Sequence, residues 1–79
     1  MKIHVKLFSI LRDCVENYDP ALGVYIELAP PAKVQDLIQK LNIPPDTAPV
    51  VSCNGRILKV HDCLEDGSAV NIFQPVAGG

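Results

Sequence analysis

No stretch of these 79 residues approaches the roughly 18 consecutive apolar residues that a membrane helix requires. Runs of Lys or Arg are missing too. The net charge is −2, with acidic and basic residues interleaved, which leaves no footprint for nucleic acid or for a lipid-headgroup surface. Cysteine is sparse: Cys14, Cys53 and Cys63 are odd in number and form no C-x-x-C pair, which argues against a disulfide framework and a tetrahedral zinc site. The first residues, Met1 to Leu7, alternate apolar and polar rather than running apolar, so no secretory signal is expected. A reducing, cytoplasmic setting is the expectation that follows.

The components of an active site are missing as well. Such a site needs a nucleophile with a base, paired carboxylates, a metal cluster or a phosphate cradle. His4 and His61 lie far apart in the chain and neither belongs to a ligand-spaced pair; His4 reads as a solvated strand residue. His61-Asp62-Cys63 places a histidine near a thiol, but close neighbours in a strand or turn point apart rather than into one site. The carboxylates of Glu65-Asp66-Gly67 read more simply as solvated turn residues. No G-x-G-x-x-G or G-x-x-x-x-G-K pattern occurs. The chain is therefore expected to be no enzyme by itself and to bind neither metal nor cofactor.

What is present is a folding pattern. Nearly half of the residues are hydrophobic (48%), ordinary for a packed core and too many for a disordered chain. The length suits one domain, of a size that buries about 60% of the surface its unfolded chain exposes. Lys2–Leu7 alternates as a strand, with Ile3, Val5 and Leu7 on one face and Lys2, His4 and Lys6 on the other. Ile10, Leu11 and Cys14 fall at helical spacing and predict a short helical turn. Gly23–Leu28 alternates again. After Pro30-Pro31, the spacing of Val34, Leu37, Ile38 and Leu41 predicts one amphipathic helix, beginning at Pro31 and ending before Pro44-Pro45.

Pro49–Cys53 and Arg56–Val60 predict two strands joined at Asn54-Gly55, the dipeptide that a type I′ turn favours. A turn at Glu65-Asp66-Gly67 then leads to a final strand, Ala69–Gln74. The expected architecture is an α+β roll, a mixed four- to five-stranded sheet with one main helix packed on one face. Residues 1–75 are expected to form the domain and residues 76–79 a flexible tail. Cys53, next to the hairpin, is expected to be structural rather than a reactive thiol, free cysteine being among the most buried residue types.

Chemistry concentrates in that tail. Gly78-Gly79 follows a well-formed strand and a stiffening Pro75. A tail without side chains can thread a narrow channel and present its carboxylate at depth. Attack of the Gly79 carboxylate on ATP would give an acyl-adenylate, which sulfide or a persulfide could convert to a thiocarboxylate and an amine to an amide. A frayed terminus is the plain alternative.

Three segments together carry a resemblance: Val51-Ser52-Cys53-Asn54-Gly55-Arg56, Leu64-Glu65-Asp66-Gly67 and Val70-Asn71-Ile72-Phe73-Gln74-Pro75-Val76-Ala77-Gly78-Gly79. With Leu7-Phe8-Ser9-Ile10-Leu11-Arg12-Asp13 and the helix around Leu37, they resemble the MoaD/ThiS family of sulfur carriers over nearly the whole chain. The turn departs slightly, with Ser68 where the family usually has Asp.

The resemblance implies a ubiquitin-like β-grasp fold. It also implies a carrier mechanism: an E1-like enzyme adenylates Gly79 with ATP, and sulfur transfer makes the thiocarboxylate. Gly78 and Ala77 would complete the tail. The Phe73-x-Pro75 ending is similar to the molybdopterin branch, whose large synthase subunit would be the acceptor. The chain would then be the non-catalytic small subunit, a monomer when free. A thiamine-type carrier and a ubiquitin-like modifier of lysines are the alternatives. Phe8, Ile57, Phe73 and Pro75 match partner-binding positions of the family, and for Phe8 and Ile57 the choice between docking and core stays open.

Overall fold

The computed structural model describes residues 1–75. Strands β1 (Lys2–Leu7), β2 (Val24–Glu27), β4 (Val50–Cys53), β5 (Arg56–Leu58) and β7 (Ala69–Phe73) build one mixed sheet, in the order β2-β1-β7-β4-β5. The central strand β7 runs parallel to its neighbour β1, and every other pair is antiparallel. A second, two-stranded ladder joins β3 (Ala32–Lys33) to β6 (Cys63–Leu64).

Helix α1 (Val34–Lys40) covers one face of the sheet. Between helix and sheet lie Ile3, Val5, Leu7, Val51, Val70 and Ile72 from the strands, with Val34, Leu37 and Leu41 from the helix region and Leu11 from the turn, all buried. This is the α+β roll that the alternation predicts, with five strands in the main sheet.

The helix is shorter than expected at its start. Pro31 does not enter it, because Ala32 and Lys33 extend to pair with Leu64 and Cys63. The first helical N–H groups then find backbone partners in the neighbouring loop: Val34 N–H donates to Asp62 O at 3.0 Å and Gln35 N–H to Val60 O at 3.0 Å. Asp36 closes the same end by accepting the Lys33 N–H at 2.8 Å. The helix ends where its apolar spacing ends, at Lys40 with Leu41 as its C-cap, before Pro44 is reached. Asn42 adopts a left-handed conformation (φ 58°), Ile43 N–H reaches back to Ile38 O and Asn42 N–H to Gln39 O, the paired bonds of a Schellman ending.

The turns follow their residues. Asn54 and Gly55 both have positive φ (53° and 77°), as a type I′ hairpin demands. Ser68 does close the 65–68 turn. Its Oγ donates to Glu65 O at 2.6 Å and accepts the Glu65 N–H at 3.2 Å, so a serine closes the turn in place of the aspartate. Gly23 is required by space as well as by its φ of +72°, since a Cβ there would sit 2.6 Å from Val5 O and 2.9 Å from His4 Nε2.

Candidate functional site

Because β7 runs parallel to β1 in the middle of the sheet, both strands end at the same edge of the molecule. The register pairs Leu7 with Ile72, both facing the core, and Phe8 N–H donates to Ile72 O at 3.1 Å. Phe8 therefore continues the outward set of β1 beside Phe73, the outward residue of β7. Phe73 in turn opposes Val50 on β4, while Ser52, two residues along the same face, opposes Ile57 on β5. The open face of the sheet thus gathers Phe8, Phe73, Val50 and Ile57 toward the end from which the chain leaves through Pro75.

These residues are not core. Ile57 is 59% exposed and Phe8 38%, Phe73 is half-buried and Pro75 exposed. The core alternative for Phe8 and Ile57 is thereby excluded, because the alternation that buries Leu7, Val51 and Ile72 turns their neighbours outward. Sequence reasoning misses two further apolar positions outside the core. Ile10 lies in the 3-10 turn Ser9–Cys14 and is 58% exposed, since Leu11 takes the inward position of that turn. Val50 becomes visible only through its register with Phe73. The tail positions Ala77, Gly78 and Gly79 lie outside the described residues.

The β1–β2 half of the open face is polar. The rings of His4 and Tyr25 stack with centroids 4.6 Å apart, and Lys2 Nζ lies 5.7 Å from the Tyr25 centroid. His4 Nε2 also makes a 2.7 Å hydrogen bond with Leu22 O. His4 is thus half-buried and fixed, not simply solvated, because β2 brings Tyr25 opposite it.

Elsewhere two aspartates accept backbone N–H groups, one within a turn and one across the chain. Asp62 accepts the Lys59 N–H at 2.8 Å and Asp66 the Lys2 N–H at 2.8 Å. Cys53 and Cys63 border a cleft of about 430 Å³ with Arg56, Glu65 and Ser68. Cys14 and Cys53 are half-buried and pack against the core, whereas Cys63 is exposed, because Leu64 takes the inward place on β6. No group of three or more metal-binding side chains occurs among the described residues.

Comparison with known proteins adds the family level. The model of the ThiS family matches residues 5–79. Among solved structures, the Pyrococcus furiosus protein described as a molybdopterin converting factor, subunit 1, superimposes with a TM-score of 0.74 at 27% identity, covering 95% of this chain and 98% of that one. SAMP1 from Haloferax volcanii superimposes with a TM-score of 0.73 at 20% identity over the whole of both chains, a likeness of fold. No curated protein sequence matches this chain.

Proposed function

The chain belongs to the ThiS family of ubiquitin-like sulfur carriers, and from that membership we propose that Gly79 carries sulfur as a thiocarboxylate for molybdopterin assembly. Members of the family are carriers rather than catalysts. In the proposed cycle, the Gly79 carboxylate attacks the α-phosphorus of ATP on an E1-like enzyme and releases pyrophosphate. A sulfide equivalent then displaces AMP from the acyl-adenylate, leaving the thiocarboxylate. The thiocarboxylate sulfur then attacks a carbon of a pterin precursor held by the large synthase subunit, and water hydrolyses the resulting thioester, leaving the sulfur on the pterin and returning Gly79 as a carboxylate.

The observation that supports this reading best is the placement of the exit. The last described residues leave the central strand β7 beside an exposed apolar face formed by Phe8, Phe73 and Ile57. A partner seated on that face receives the tail at the same time. Docking supplies affinity from buried apolar area, while Pro75 and the glycines deliver the carboxylate. An exposed apolar group on so small a domain is accounted for by such a use.

The molybdopterin acceptor is favoured by the likeness to the Pyrococcus furiosus protein and by the Phe73-x-Pro75 ending. The test is single-turnover transfer. Protein loaded with thiocarboxylate is mixed with a large synthase subunit and its pterin precursor, or with a thiazole-forming synthase and its substrate. Loss of the thiocarboxylate with sulfur appearing in the pterin supports the assignment. Transfer only in the thiazole mixture would move the chain to the thiamine pathway.

A further inference from the structure

The end of β1 is held by an arrangement that the sheet alone does not need. Pairing with β2 stops at Val5 opposite Val24, so the polar groups of Leu7 on that side have no strand partner. Tyr18 takes β2's place. Its hydroxyl accepts the Leu7 N–H at 2.7 Å and donates to Leu7 O at 3.3 Å. Arg12 then adds a second donor, its Nε–H reaching the same Leu7 O at 3.3 Å.

Leu7 O is already satisfied by Tyr18, so the Arg12 bond is surplus to the strand. Its effect falls on Arg12 itself. The side chain is exposed, and an exposed arginine ordinarily samples many rotamers at an entropic cost to any partner that grips it. Here the guanidinium is tied at Nε to the carbonyl of the peptide that leads into Phe8. Among the described residues this is its one hydrogen bond, which leaves the planar edge with Nη1 and Nη2 open. That edge matches a carboxylate through two parallel bonds, and holding it in place beforehand lowers the cost of making them.

We propose that Arg12 is the polar anchor of the docking face, its open Nη edge gripping a carboxylate on the activating enzyme beside the apolar pocket that takes Phe8. The inference rests on the carrier reading and names how the first partner is recognised. Any protein that receives the tail must sit at the Pro75 end of the sheet, where Arg12 stands, and the adenylating enzyme is the first to do so. The anchored anion is not the phosphate of ATP. A tail threaded in extended form puts Gly79 about 13 Å beyond Pro75, out of reach of a guanidinium tied to Leu7. Arg12 is therefore a positioning residue, acting on binding and not on the reacting atoms. Lys6, two residues before Phe8 on the same face, adds a second positive charge to that rim without the fork.

The experiment is ATP–pyrophosphate exchange with the full chain and its cognate activating enzyme, comparing wild type, Arg12→Ala, Arg12→Lys and Tyr18→Phe. Loss of a charge-assisted pair predicts a KM for the carrier raised about ten- to a hundredfold in Arg12→Ala, with kcat little changed. Arg12→Lys restores little, because a point charge lacks the fork. Tyr18→Phe removes the other tie on Leu7 O and leaves the guanidinium, so its KM stays near wild type. A KM for Arg12→Ala within about twofold of wild type overturns the anchor and leaves the carrier reading intact. So does a Tyr18→Phe loss as large as that of Arg12→Ala, which would show that the tie serves only the strand end. Failure of the wild type to support exchange overturns the carrier reading itself, and the anchor falls with it.

Discussion

Neighbouring residues of the same strands meet opposite fates on the two faces of this sheet. On the covered face, Ile3, Val5, Leu7, Val70 and Ile72 are essentially inaccessible, packed against Val34 and Leu37 of the helix. On the open face, Phe8 and Ile57 remain accessible although both are large and apolar. The covered face is where burial supplies the stability of the fold. The open face keeps apolar surface in water at the end where the chain leaves, surface that adds little to folding. The difference separates the residues that make the domain from those proposed to dock its partners, and substitutions can test that separation.

The largest effect is expected on the covered face. Leu37→Ala removes a fully buried side chain from the helix–sheet contact and should cost about 2–5 kcal/mol in denaturant unfolding. A loss below about 1 kcal/mol would mean that the helix packs loosely, and the contrast between faces would weaken. Gly23→Ala comes next. It combines a left-handed φ with a 2.6 Å clash against Val5 O, and about 1–3 kcal/mol of destabilisation should follow. Ser68→Ala deletes the hydroxyl that closes the turn before β7, and unfolding curves should show a loss of about 1 kcal/mol.

Ile57→Ala should be the smallest in stability, within about 0.5 kcal/mol, yet it should raise the KM for adenylation clearly. An Ile57→Ala protein that is markedly less stable but activated normally would reverse the roles of the two faces.

Much of this fold is legible in the order of the residues. Alternation identifies the strands because one face of the sheet is covered and the other is wet, which makes period two a direct record of burial. Asn54-Gly55 marks the hairpin through its demand for positive φ. The start of the helix is not legible, because Ala32 and Lys33 are claimed by Leu64 and Cys63, a pairing 30 residues distant that no local spacing records. Helical spacing groups Ile10 with Leu11, but a 3-10 turn places Leu11 inward and leaves Ile10 outside.

The candidate site divides in the same way. Resemblance identifies Phe8, Ile57 and Phe73, while their shared face emerges only from the register of four strands. The ties of Tyr18 and Arg12 to Leu7 are hidden from the sequence for a similar reason, since they fill a place that a longer β2 would take.

The central claim is that Gly79 carries the sulfur, and intact-protein mass spectrometry tests it most directly. The chain is incubated with ATP, an activating enzyme and a sulfide source, beside a variant lacking Gly79. The account predicts a mass gain equal to one oxygen replaced by sulfur, confined to the full chain and dependent on ATP. An unchanged mass with enzymes that activate other members of the family, or the same gain without Gly79, would contradict it.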